Sequence, residues 1–354
     1  IWLYENDHAI KYAIDSGKAH FGTIDTWLIY RLTKGKSYFT DHTNACRTLF
    51  YNINNLSWDN SLLRIFNFPN LVLPEVKPSS FLFGESNFDG IFKHNIKITS
   101  AIGDSHAAAF GQTCFESGTA KATLGTGCSI LLNTGESRAS SQNGMVSTIC
   151  FSLKDKVYYA LEGIIVTCGA TINWLKNQVG IIDDIKKAEQ EALTVENNNG
   201  VYFIPAFSGL GAPYWNMDLK AVITGITFGC NKSHIIRAAL ESIPFQIKDI
   251  ITSMEEDSKI KLVKLNVDGG ITSNTFIMQF LADLLGVTVE NITGIEEVSA
   301  LGAAYMAGLD SGVFKGIEHL KHLNKSKNRF VPATENKNAS YYYDEWRKTI
   351  KTFL

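Results

Sequence analysis

Prolines are few in this sequence, seven in 354 residues, and its six cysteines include no CxxC pair. So few prolines leave room for long helices and paired strands. The cysteines, at 46, 114, 128, 150, 168 and 230, show neither zinc-ligand nor redox-motif spacing, so they read as buried thiols in a reducing compartment. Also missing is any apolar run long enough to span a bilayer, and the N-terminus lacks the basic-then-apolar order of a secretory signal. The expectation is a cytoplasmic protein. Nor is there an excess of one charge: 33 Lys and Arg stand against 35 Asp and Glu, a net charge of -2. That balance offers no footprint for nucleic acid or an anionic membrane, which leaves small-molecule chemistry as the starting point. An initiator methionine is absent as well. The chain opens on Ile1-Trp2-Leu3-Tyr4-Glu5-Asn6 inside an amphipathic helical pattern, so a further segment is expected upstream.

What is present suits an ordinary globular protein of two domains: 45% hydrophobic residues, 19% charged and 28 glycines. Residues 1–35 read as two helices, the second over 26–32 with Asp25 or Thr26 as its cap. A dense polar cluster at 40–48 has the composition of a solvated loop. A strand over 96–102 ends at Asp104, and a small-residue run suited to close helix packing follows it. After Gly118 the pattern becomes a meander of strands over 120–124, 129–133, 145–153 and 157–162. Helices over 167–179 and 183–193 follow, then short strands over 200–205 and 221–226. The clearest helix begins near Ser233, with Ile236, Leu240, Ile243, Ile247, Ile250, Ile251 and Met254 at helical spacing as one buried stripe. A strand over 262–267 then runs into Asp268-Gly269-Gly270. Beyond it lie a helix over 274–285 stopped by Gly286, a strand over 287–289 and a small-residue helix over 299–309.

Residues 103–129 hold the chemistry. Gly125-Thr126-Gly127 forms a tight hairpin turn, and Gly269-Gly270 leads to a helix start at Asn274. Both are places where exposed backbone N–H groups let a phosphate approach. Either alone is an ordinary turn. Together, a glycine hairpin and a later strand–DGG–helix match the way an actin-like domain grips a nucleotide from both sides. Beside a nucleotide, Asp104 has two roles open to it: accepting the proton of an attacking hydroxyl, or holding Mg2+ through water. Gly103-Asp104-Ser105 also resembles the nucleophile block of GDSL-type hydrolases, with Ser105 attacking an ester, but their late Asp-x-x-His is missing here. His319 and His322 share helical spacing without a third metal ligand nearby.

From end to end the residues resemble the FGGY carbohydrate kinases, and within them the members that phosphorylate glycerol. The resemblance is carried by 21–29 (FGTIDTWLI), Thr40-Asp41 with Asn44-Ala45, 73–76 (LPEV), Gly103-Asp104, 125–128 (GTGC), 131–136 (LLNTGE), 161–163 (LEG) and 209–215 (GLGAPYW). It implies an α/β protein of the actin-like ATPase, ribonuclease H-like fold. Residues 1–111 would be the C-terminal part of the first, substrate-side domain and 112–354 the second, nucleotide-binding domain. The opening residues match the second half of an N-terminal family motif, so the resemblance places part of both half-sites upstream.

The implied activity is transfer of the γ-phosphoryl of ATP, with Mg2+, to a primary hydroxyl of glycerol or a similar small polyol, in a homo-oligomer. Asp104 would be the catalytic base, would touch substrate together with Ser105, and would reach Mg2+ through water. Gly125, Thr126, Gly169, Asn173, Gly270 and Asn274 would contact the nucleotide. Three positions depart from the family pattern. Ser105-His106 stand where two glutamines are usual, Asn173 where a glutamine is, and His42 where a tyrosine is. The glycine-rich loop that serves sugar-bisphosphate feedback is not recognisable in 87–96, so no such regulation is expected. The alternatives are a kinase for another short polyol or ketose, and a nucleotide-binding remnant without catalysis.

Overall fold

The computed structural model describes residues 1–292, 297–324, 326–333 and 338–354. At its centre is a nine-stranded sheet whose spatial order is Ser326–Phe330, Thr288–Ile292, Lys264–Asp268, Thr119–Leu124, Cys128–Gly135, Lys156–Ile165, Val146–Leu153, Ser80–Ser86 and Ile96–Ser100. Thr119–Leu124 runs parallel to Lys264–Asp268 on one side and antiparallel to Cys128–Gly135 on the other, so it is the pivot at which the pairing changes sense.

Side-chain alternation along that pivot strand decides what packs on each face. Ala120, Ala122 and Leu124 join Ile130, Leu132, Leu161 and Ile165 in a core shared with the helix Lys232–Ser258. On the other face Leu131, Cys150, Phe151 and Ala160 meet Ala109 and Phe110 of the helix Asp104–Gly111 and Met306 of the helix Val298–Asp310. Helices thus cover both faces, which is the layered α/β arrangement expected. The stripe from Ile236 to Met254 is buried throughout, at most 1% exposed at any of the seven positions. Asn274 caps the helix Thr275–Leu285 by accepting the Ile277 N–H at 2.9 Å, and Gly286 ends it in the left-handed region at φ 71°. None of the six cysteines is disulfide-bonded.

Several sequence expectations need correction. The strands after Gly118 are not a simple meander: Cys128–Gly135 pairs with Lys156–Ile165, and Val146–Leu153 lies outside that pair. The ten residues 136–145 are long enough to skip one strand position, whereas the tight turn at Lys154, φ 48°, forces the next two strands to be neighbours. The cluster at 40–48 is not a solvated loop. It forms the short strand Phe39–Asp41 and the turn of helix His42–Ala45, with Thr40, Asp41, Thr43 and Ala45 at most 1% exposed.

The helix expected at 26–32 is Ile24–Leu32, and its N-cap is Thr23 rather than Asp25 or Thr26. The helix expected from Ser233 starts at Lys232, with Asn231 and His234 forming a reciprocal capping box. That over 167–179 begins only at Gly169 and widens into a π-helix over Leu175–Val179. The segment 183–193 splits into a 3₁₀ turn, Ile185–Lys187, and a short α-helix, Ala188–Ala192. The strand over 96–102 stops at Ser100, so Asp104 is not a strand-end residue but the first residue of a helix.

Candidate active site

Three glycine-bearing segments meet where the pivot strand turns. In the hairpin, the Gly125 N–H donates to the Gly127 carbonyl at 2.9 Å. The start of the helix Gly169–Trp174 is tied to this hairpin: Gly169 N–H donates to Gly125 O at 3.0 Å, and Cys168 and Ala170 N–H donate to Thr126 O at 2.8 and 3.2 Å. The approach is too close for a side chain, because a Cβ on Gly169 would lie 2.7 Å from Gly125 O. From the other side comes Gly269, with φ +95°, where a Cβ would lie 2.4 Å from Leu124 O. Gly270 opens onto free space and leads through the turn Gly270–Ser273 to the Asn274 cap.

The sequence-predicted nucleotide residues Gly125, Thr126, Gly169 and Gly270 are therefore brought together, with Gly125, Thr126 and Gly270 exposed and Gly169 buried. Asn173 is exposed on the Gly169–Trp174 helix, and Asn274 is half-buried at the start of the next. The Gly169 N–H is already engaged by Gly125, so this glycine shapes the cradle instead of adding a donor to it.

Asp104 is exposed in the first turn of the helix Asp104–Gly111, where the partial positive charge of a helix N-terminus favours a carboxylate. Its Oδ1 accepts the Ser105 N–H at 2.6 Å, and its carbonyl accepts the Ser299 hydroxyl at 2.9 Å. Ser105 Oγ lies 3.5 Å from Ser129 Oγ, two residues beyond the hairpin, which links the acid to the glycine cradle. Neither Ser105 nor His106 forms a hydrolase pair. His106 is buried, and its Nε2 faces the Thr148 hydroxyl at 3.4 Å.

A buried network fixes the start of this helix. Gly103 N–H donates to Thr43 Oγ1 at 2.8 Å, and the Thr43 hydroxyl donates to Asp41 at 2.8 Å. Asp41 also accepts the Ser79 hydroxyl at 2.7 Å, and Ser79 N–H donates to Ser152 Oγ at 2.9 Å on the neighbouring strand. Burial pushes the Asp41 carboxyl up to about 6, and the surrounding donors only partly offset that. The sequence singled out Asp41 only through resemblance. Its signal in the residues themselves was the Asp41-x-x-Asn44 spacing of a helix cap, in which Asp41 accepts the Thr43 and Asn44 N–H groups.

The two buried histidines make a testable contribution to acid stability. Burial holds His106 down to about 3, helped by the charges of Arg47 and Lys121, and burial holds His42 down to about 4. A histidine depressed in the folded state stabilises above its unfolded value, near 6.5, and that stability is lost as pH falls towards the folded value. Asp41 and Asp249, both raised to about 6 by burial, work the opposite way: their contribution is full below the unfolded value and fades as pH rises through about 6. Removing one histidine should therefore tilt the balance. His106→Gln is expected to make the stability at pH 5, relative to pH 7, more favourable by roughly 2 kcal/mol. Urea titrations of both proteins at the two pH values measure it, and an unchanged difference would contradict it.

Among the described residues no cluster of three or more His, Cys, Asp or Glu side chains is placed to hold a metal ion. A single exposed carboxylate beside a phosphate cradle does fit Mg2+, which is held chiefly by phosphate oxygens and waters and needs only one or two carboxylates. No helix among the described residues is long and apolar enough to cross a membrane.

A glycine hairpin and a strand–DGG–helix facing each other across one parallel–antiparallel sheet define an actin-like nucleotide-binding protein. The chain belongs, more narrowly, to the FGGY family of carbohydrate kinases: the model of that family's N-terminal domain matches residues 1–111 and that of its C-terminal domain residues 120–310. The chain is 47% identical over 353 residues to the glycerol kinase of Desulfitobacterium hafniense, covering all of this chain and 71% of that protein. It is 46% identical to the glycerol kinase of Petrotoga mobilis, covering 99% of this chain and 70% of that one. Among solved structures, Plasmodium falciparum glycerol kinase with ADP superposes with a TM-score of 0.94 at 42% identity, over all of this chain and 70% of that one. A ligand-bound xylulose kinase from Lactobacillus acidophilus, 21% identical with a TM-score of 0.85 over 99% of this chain and 70% of its own, shares the fold.

Proposed function

We propose that this protein transfers the γ-phosphoryl group of ATP to a primary hydroxyl of glycerol, giving glycerol 3-phosphate and ADP. The observation that carries this reading is the convergence of Gly125, Gly169 and Gly269, linked to the Asp104 helix by the Ser105–Ser129 contact, in a chain 47% identical to a glycerol kinase over its whole length. In this reading Gly125 and Thr126 meet the transferred phosphate, while Gly169, Asn173, Gly270 and Asn274 border the rest of the nucleotide. Residues 1–111 serve the acceptor and 112–354 the nucleotide. Asp104 and Ser105 contact the acceptor. As its hydroxyl oxygen attacks the γ-phosphorus, the Asp104 carboxylate takes the proton, and the electron pair of the breaking P–O bond stays on ADP. Asp104 is the residue that would hold Mg2+ through water, and the ion would supply neutralisation of phosphate charge. Holding acceptor and donor in line contributes the larger part of the barrier lowering, since phosphoryl transfer leaves the protein little covalent chemistry to do.

Ser105 favours a second reading. Its short side chain faces Ser129, leaving only small hydroxyls where the resemblance implies a longer amide, so another short polyol or a ketose is the alternative acceptor. Coupled ADP release with glycerol, erythritol, dihydroxyacetone and xylulose separates the two. The expected outcome is a preference for glycerol; a preference for another acceptor assigns that one instead. Thermal stabilisation by ATP with no phosphoryl transfer to any of the four would identify a nucleotide-binding remnant.

A further inference from the structure

Lys121 has no counterpart among the site residues above. It lies in the middle of the pivot strand Thr119–Leu124, is 1% exposed, and carries a charge into the layer between the sheet and the helix Asp104–Gly111. A lysine is almost never fully buried unless paired, because removing an ammonium from water costs several kcal/mol. Yet among the described residues its hydrogen-bond partners are two hydroxyls, Thr123 Oγ1 at 3.1 Å and Ser129 Oγ at 3.5 Å, and no carboxylate forms an ion pair with it. Both partners lie towards the glycine hairpin. Thr123 and Ser129 are directly opposite each other in the antiparallel register, and Leu124 and Cys128 close the ladder above them. Ser129 in turn meets Ser105, the neighbour of Asp104.

Lys121 thus stands under the one place where the base and the phosphate cradle approach each other. At ~3.3 Å per strand residue, the hydroxyl of Thr123 is about 7 Å along the strand from Gly125. An ammonium at that depth is screened by little water, so its field reaches the cradle at an effective dielectric far below that of solvent. Burial, the charge of Arg47 and that of Lys121 together hold the His106 proton affinity down, whereas at Cys128 the Lys121 charge opposes the larger upward push of burial. Such a buried positive charge, fixed in place before the reaction and with no carboxylate ion-paired to it among the described residues, is the arrangement that stabilises negative charge developing during group transfer.

We propose that Lys121 is an electrostatic positioning residue of the phosphoryl-transfer site, acting through the Ser129–Ser105 hydroxyl pair to hold the acceptor side and to favour the transition state over bound ATP. This rests on the kinase reading above.

The test replaces the charge without emptying the site. Lys121→Met keeps the length and apolar body of the side chain, so the fold is expected to be as stable as wild type or more so, since a buried unpaired ion has been removed. Its kcat should fall about 10-fold or more with little change in KM for ATP, the split expected when an interaction made only in the transition state is lost. Lys121→Arg should recover part of that rate. A role confined to packing would leave kcat at the wild-type value in Lys121→Met, and that result overturns the proposal. A second readout is independent of the acceptor's identity: the affinity for ADP with aluminium fluoride relative to ADP alone should drop about 10-fold in Lys121→Met. An unchanged ratio also overturns it. If wild type binds ADP but transfers phosphate to no acceptor, the kinase reading fails on its own, and the aluminium fluoride ratio still decides the role of Lys121. If wild type does not bind ADP, both fail.

Discussion

Asp104→Asn is expected to lower the rate of phosphoryl transfer to glycerol by about 10²–10⁴-fold, the contribution of a positioned general base, while leaving ADP affinity within about 2-fold. Asparagine fills the same volume, and its Oδ1 can still accept the Ser105 N–H that Asp104 accepts at 2.6 Å. The helix start is held by other means: Gly103 by Thr43, and the Asp104 carbonyl by Ser299. What the substitution removes is the proton acceptor and a negative charge in the first helical turn, and the latter costs only about 0.3–1 kcal/mol of stability. Steady-state ADP release and calorimetric ADP titration therefore report different things. A rate within a few-fold of wild type would show that another group takes the proton.

Much of the nucleotide side was legible because it is written in local signals. A glycine hairpin, a DGG turn, an asparagine cap and a glycine stop each act within four or five residues, and the structure places each where its spacing implied. The helical stripe from Ile236 to Met254 was readable for the same reason, since periodicity is local. The acceptor side was not, because its order is set by contacts distant in sequence. Asp41 looked solvated among polar neighbours, yet Ser79, 38 positions away, and the layer behind it bury it completely. The swapped strand Val146–Leu153 depends on which of two connections is short, something hydrophobic pattern does not encode. Lys121 is the sharpest case. Flanked by Ala120 and Ala122 it carries no local mark of its surroundings, and only the packing of the Asp104 helix over that face makes it a buried charge.

The small-residue run after Asp104 did suit a close helix contact; its partner is the small-residue helix at 299–309, and a second large effect follows from that contact. Gly302→Val is expected to destabilise the fold and to reduce transfer more than it weakens ADP binding. The helices Asp104–Gly111 and Val298–Asp310 approach so closely that a Cβ on Gly302 would lie 1.8 Å from Ala107 O and 2.9 Å from Gly111 N. Gly111 is equally hemmed in, with its own hypothetical Cβ 2.5 Å from Val298 O. Each contact is to backbone, which cannot rotate away as a side-chain tip can, so the helices must separate. Overpacking of this kind costs about 1–3 kcal/mol or more. The same separation lengthens the Ser299–Asp104 hydrogen bond and moves the base, since a displacement of about 1 Å can cost 10²-fold in rate. Among the described residues the glycine cradle is joined to the Asp104 helix through the contact between Ser105 and Ser129, so ADP affinity should fall less than kcat. Ala300→Val, exposed on the same helix, supplies the control: it adds the same β-branched side chain without the clash. Thermal denaturation, kcat and ADP titration on the two variants decide the matter. Equal behaviour of Gly302→Val and Ala300→Val would mean that the contact between these helices does not set the position of Asp104.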